Sequence, residues 1–128
     1  MPAKRIIALS ALLFLLPVSP AHAAKAAPSY VELTDAPTIT VDWSRGDTQT
    51  VTLHGDRKLA FTNGQKGGKY LLILKQDARG SRTVKWPSSV HWPGFLGPTL
   101  TAAAHKRDYI SFFYNGDSYD MLAVSQGY

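Results

Sequence analysis

The chain contains no cysteine. That excludes disulfide bonds, thiolate metal sites, a cysteine nucleophile and a lipid anchor on an N-terminal thiol. Packing and hydrogen bonding alone must hold the fold. Runs of like charge are also missing: 14 Lys and Arg are interspersed with 9 Asp and Glu, for a net charge of +5. A nucleic-acid partner calls for a clustered basic stripe, so none is expected. No apolar stretch reaches the ~20 residues that span a bilayer, and no integral membrane segment is expected after processing. Asn63 and Asn115 are followed by Gly-Gln and Gly-Asp, which does not make a glycosylation acceptor of either.

What is present begins with a targeting pattern. Lys4 and Arg5 precede an apolar run from Ile6 to Leu16, and Ala21-His22-Ala23 has the small-x-small form that signal peptidase cleaves. The expectation is a signal peptide over 1–23, export to the periplasm or medium, a flexible leader over 24–35 and a single domain over 36–128. Loss of Lys4 and Arg5 with the signal lowers the net charge from +5 to +3. A mature chain of about 105 residues has room for one modest core.

In the mature chain the apolar period is two. Ile39, Val41 and Trp43 alternate with polar residues in "TITVDW", Val51 and Leu53 in "TVTL", and Leu59 and Phe61 in "KLAF". "YLLILKQ" is apolar on both parities, as in a central strand covered on both faces. About eight short strands separated by Gly-rich turns point to an all-β fold, an antiparallel sandwich of jelly-roll type without substantial helix. No fixed period is visible, which disfavours a solenoid. In the final hairpin, across Asn115 to Ser118, strand parity places Ile110, Phe112 and Tyr114 on one face with Tyr119, Met121 and Ala123. That face is the expected core, with Tyr114 and Tyr119 at its rim.

Reactive constellations are weak by comparison. "NGQKGGK" has glycines beside a lysine, but Tyr70 stands where a phosphate loop needs Ser or Thr, and a strand follows. His54, His91 and His105 are unpaired at metal-ligand spacings, and no metal or other cofactor is expected. Asn115, Asp117, Ser118 and Asp120 offer oxygens, yet Asx-turn chemistry explains them more simply than calcium. Neither a nucleophile motif nor a paired acid and base is found, so no catalytic residue is nominated.

The stretch "WPSSVHWPG" holds two of the three tryptophans, each followed by proline. Pro87 and Pro93 cannot donate to a ladder, so the segment is an edge or crossover. Trp86 continues the alternation from Val84 and is read as a core plug. Trp92, followed by "PGFLGP", is either a lid on the core or an apolar platform together with Phe95. The candidate ligand-binding residues are Trp92, Phe95, Tyr114, Asp117 and Tyr119.

Three stretches together resemble a known family: "VDWSRGDTQTVTLHGDRKLAFTN", "GGKYLLILKQDARGSRTVKWPSSVHWPG" and "PTLTAAAHKRDYISFFYNGDSYDMLAV". Their D-W-x-x-G opening, L-K-Q-D-x-x-G-S-R-T-V pair, W-P-x-x-V-x-W-P-G and F-Y-x-G hairpin are similar to a small β domain of phage tail-fibre and other virion surface proteins. The likeness covers roughly residues 41–124. It implies a non-catalytic β module for adhesion or surface recognition, whose partner is a cell-surface glycan or protein. Only the resemblance suggests a homo-oligomer, a trimer. The export pattern points to a secreted relative rather than a virion part. The competing expectation is a small exported hydrolase or enzyme inhibitor whose residues converge from distant loops.

Overall fold

The computed structural model describes residues 29–94 and 97–128. The expected signal peptide, the first part of the leader, and Phe95 lie outside the described residues. Among the described residues there are nine strands: β1 (Tyr30–Glu32), β2 (Thr38–Asp42), β3 (Thr48–Leu53), β4 (Arg57–Thr62), β5 (Lys69–Gln76), β6 (Val84–Lys85), β7 (Val90–His91), β8 (Arg107–Tyr114) and β9 (Tyr119–Ser125). The sole helical element among them is a 3-10 turn, Trp43–Arg45. A six-stranded sheet runs β1-β3-β5-β8-β9-β7, and a three-stranded sheet runs β2-β4-β6.

The strand order corrects the jelly-roll expectation. From β1 to β6 successive strands fall alternately in the two sheets, so the chain winds as a flattened coil. Each strand therefore meets its same-sheet neighbour in parallel: β1 with β3, β3 with β5, β2 with β4, and β4 with β6. A parallel pair needs a long crossover, and here a strand of the opposite sheet provides it. Only β5–β8 and β8–β9 pair antiparallel, while β7 joins β9 in parallel. The fold is all-β with two packed sheets, but not an antiparallel jelly roll. Its solenoid-like winding escaped periodicity because the turns are unequal. One sheet steps from Tyr30 to Thr48 to Leu71, and the other steps from Thr38 to Lys58 and from Arg57 to Val84.

The segment expected as a leader also contributes to the fold. Tyr30–Glu32 forms β1, the Leu33 amide donates to the Thr50 carbonyl at 2.8 Å, and Asp35 takes two hydrogen bonds from the Arg57 guanidinium at 2.9 and 2.7 Å.

Inward parities from both sheets meet in one core that includes Ile39, Val41, Leu53, Leu59, Leu72, Ile110 and Phe112. Phe61 sits among its aromatic rings. Trp43 and Phe112 each meet it edge-on at a centroid distance of 5.4 Å, and Tyr119 does so at 5.1 Å. Edge-to-face contacts of this kind add to area burial. In the hairpin, Phe112 opposes Met121 and Tyr114 opposes Tyr119, but a bulge between Ser111 and Phe112 then brings Ile110 opposite Val124. The extra residue, Leu122, inverts the parity beyond it. Ala123 is therefore exposed, and Val124 packs on the core in the place expected for Ala123.

Sequence patterns that looked like motifs are turn clamps. In D-W-x-x-G, the Asp42 carboxylate accepts from the Ser44 amide at 3.0 Å while Trp43 plugs the core. A Cβ on Gly46 would stand 2.7 Å from the Ser29 carbonyl, which is why glycine is needed there. In Q-D-x-x-G-S-R, the Gln76 side chain donates to the Arg82 and Thr101 carbonyls at 2.9 Å each and accepts from the Arg82 amide. The loop "NGQKGGK" has its amides committed: Gly64 donates to the Tyr119 hydroxyl, Gln65 to the Tyr70 hydroxyl, and Gly67 to the Tyr114 carbonyl. Those donors are not free to cradle a phosphate.

Phe112→Ala should cost about 3–5 kcal/mol, because its ring has no exposed surface. Lys85→Ala, at the exposed position of β6, should cost under about 0.5 kcal/mol. Urea titrations with equal midpoints would contradict the assignment of the core face.

Candidate ligand-binding surface

Of the residues expected to bind, Tyr114, Asp117 and Tyr119 share the β8–β9 hairpin, and Trp92 follows the neighbouring β7. Trp92 leaves β7 half-buried, with its ring centroid 5.0 Å from Trp86 and 6.2 Å from Phe112. A Cβ on Gly97 would come within 2.9 Å of the same ring, so the Gly97 backbone lies against it. Trp86 is packed against the core as expected, and Trp92 packs beside it as a lid. Tyr119 is buried at 4 % exposure, and its hydroxyl accepts from the Gly64 amide at 3.0 Å. Tyr114 lies over Tyr119 at 4.4 Å and donates its hydroxyl to the Gly116 carbonyl. Asp117 is exposed on the hairpin turn, where its amide donates to Asn115 Oδ1 at 2.8 Å. Asp120 is tied down by Ser118 Oγ at 2.8 Å and Asn115 Nδ2 at 3.1 Å, beside the Asx turn that Asn115 Oδ1 makes with the Asp117 amide. Among the described residues, no group of three or more His, Cys, Asp or Glu is placed to hold a metal.

The structure places a recess elsewhere, on the outer face of the six-stranded sheet. With Val51, Leu72, Leu74 and Ile110 turned to the core, the opposite parity carries Thr50 and Thr52 on β3, Ile73 and Lys75 on β5, and Arg107 and Tyr109 on β8. Ladder register brings them into rows: Thr50, Ile73 and Tyr109 in one, Thr52, Lys75 and Arg107 in the next. Tyr30 and Glu32 of β1 form the far wall, and the groove encloses about 410 Å³. Ile73, although outside the central core cluster, is only 5 % exposed and belongs to the floor. Sequence reasoning passed over these residues because each is ordinary outward-facing strand chemistry. The available signal was "YLLILKQ", whose second apolar parity required cover on the outer face.

Two of the acids in and around the groove are committed. The Arg57 guanidinium lowers the Asp35 pKa through their hydrogen bonds. Asp77, 3.6 Å from the groove residue His54, accepts from Arg82 and from the Arg79 and Gly80 amides. The Arg82 hydrogen bond is the largest influence and brings its pKa down from 3.8 to about 2. By contrast, Lys75 and Arg107 stand directly opposite each other across β5 and β8. Neither forms an ion pair among the described residues. Like charges in this position destabilise a sheet.

The model of a family described as a phage tail fibre C-terminal domain matches residues 34–119. The chain belongs to that family. The match runs from the approach to β2 to the first residue of β9, so it spans most of the coil and the return strands of the tail fibre domain. No curated protein and no solved structure matches the chain.

Trp92→Ala should cost about 3 kcal/mol in urea unfolding, because the ring packs on Trp86 and Phe112. In single-tryptophan variants, iodide should quench Trp92 little more than Trp86; strong selective quenching of Trp92 would instead mark an open platform. Acidification supplies a second check. Asp77 has a folded pKa of about 2, depressed from 3.8, so its contribution to stability is complete above the unfolded value and drains as pH falls through that window. Asp77→Asn should start less stable at neutral pH and lose less than wild type between those two values. Parallel losses in both proteins would contradict the assigned ion pair.

Proposed function

We propose that this tail fibre domain is an exported, non-catalytic recognition module that attaches to a cell surface through the groove on its large sheet. The groove itself carries the reading. Its hydroxyls, aromatic rings and cations sit on strands whose positions the ladder fixes, and binding groups held on rigid elements lose little freedom on contact. Binding suits the neighbouring acids better than proton transfer: Arg57 and Arg82 hold Asp35 and Asp77 in their charged forms. Family membership supports a role in tail-fibre-type recognition, and the sequence pattern from Lys4 to Ala23 supports export. The aromatic lid around Trp92 then has a structural task, closing the core beneath the β7–β9 edge.

Fluorescently labelled protein, measured by flow cytometry against a panel of bacterial cells, tests the proposal. Saturable binding is expected on at least one surface. It should disappear with Thr50→Trp, which fills the groove while leaving the urea midpoint close to wild type. Sugar release or ester cleavage by the purified protein, abolished by one Asp or His substitution, would instead establish the hydrolase alternative.

A further inference from the structure

Resting on the adhesion reading above, we propose that the groove recognises a carboxylate-bearing saccharide, with Lys75 and Arg107 as the carboxylate-binding pair. The first argument is electrostatic. Two cations in direct cross-strand register repel each other unless an anion lies between or above them. No carboxylate of the described residues, Tyr128 included, lies within ion-pair distance of either one. Asp35 is held by Arg57 at 2.7 Å and Asp77 by Arg82 at 2.9 Å. Glu32, on β1, is two strands from β5, or about 10 Å at ~4.8 Å per strand. The described fold supplies no side-chain carboxylate to this pair, which leaves it open to an anion from solution.

The remaining lining describes the rest of the ligand. Thr50 and Thr52 present hydroxyls that both donate and accept, which suits sugar hydroxyls. Tyr109 borders the groove on β8 and Tyr30 on β1, three strand spacings or about 14 Å away. Tyr30 is 62 % exposed, so its ring is available for the C–H face of a pyranose. An extended groove of about 410 Å³ with hydroxyls along its floor and an aromatic ring at either wall suits a short oligosaccharide.

The charge tally selects the acid. Two cations face one uncommitted acid, Glu32, which leaves a single positive charge for the ligand to neutralise. One carboxylate satisfies it. A guanidinium grips a carboxylate through two parallel N–H bonds, and the ammonium adds a point charge beside it. A dianionic phosphate or a densely sulfated chain would bring excess negative charge toward Glu32.

Calorimetry with sialyllactose and with a trisaccharide carrying a single glucuronate, against the methyl ester of each as its neutral probe, tests the assignment. At least one acidic probe should bind about tenfold or more tightly than its neutral counterpart, and added salt should weaken it. Lys75→Gln and Arg107→Gln should each lower that affinity by about tenfold, while Lys85→Gln should not. Neither groove variant should melt earlier than wild type, since each relieves the like-charge pair. A lowered melting temperature in both would show that the pair is already satisfied within the fold, overturning the inference. Acidic probes that bind no better than neutral ones would also overturn it. If wild type still adheres to cells in that case, the adhesion reading stands with a different ligand. If it adheres to no cell surface, the adhesion reading falls as well.

Discussion

Crossings between the two sheets reverse the chain without a disulfide to hold them, and at two of them buried glutamines bonded to backbone do that work. Gln49 has no exposed surface and donates to the Asp42 and Gly46 carbonyls at 2.7 and 3.0 Å, bracing the turn from β2 into β3. Gln76 ties the turn after β5 to the segment near Thr101. Asp108 accepts from the Thr101 amide and hydroxyl, from Gln126 and from the Gly127 amide, drawing two more segments onto β8. A buried polar group left without a partner costs about 1–3 kcal/mol, so each bond disfavours any rearrangement that would break it. The cysteine-free chain thereby acquires defined crossings around a single core.

That bracing makes the outer face usable. Strand parity commits one set of side chains to the core and releases the alternate set, and the ladders, parallel and antiparallel alike, align the released residues into rows. Thr52, Lys75 and Arg107 form such a row from three segments far apart in the chain. A surface of this kind can accept changes in its polar residues without disturbing Leu53, Leu74 or Phe112 beneath it. The same logic governs the conspicuous aromatics. Trp43, Phe61, Trp86 and Trp92 supply the core and its lid, because a domain this small must bury its largest rings to be stable.

For a phage tail fibre domain, the patterns that signal membership report architecture. Asp42 to Gly46 and Gln76 to Arg82 are capped or clamped turns, and the glycines before β5 dock against Tyr114 and Tyr119. The outward-facing strand positions that line the groove carry no recognisable motif.

The alternation of residues was enough to assign all-β character, to turn Ile39, Val41, Leu59, Ile110 and Phe112 inward, to mark β5 as central and to set the Tyr114–Tyr119 pairing across the hairpin. Parity records which face a side chain takes, and side-chain burial is a local property of the strand. Strand direction leaves no such record, because parallel and antiparallel strands share the same period of two, and unequal turns hid the coil. The bulge at Leu122 was equally silent, so Ala123 was placed where Val124 packs. Whether Trp92 lies open or closed depended on the approach of Gly97, and the groove depended on ladder register between Thr52, Lys75 and Arg107. These are distances between segments remote in the chain, and they come into being only when the sheets close on their shared core.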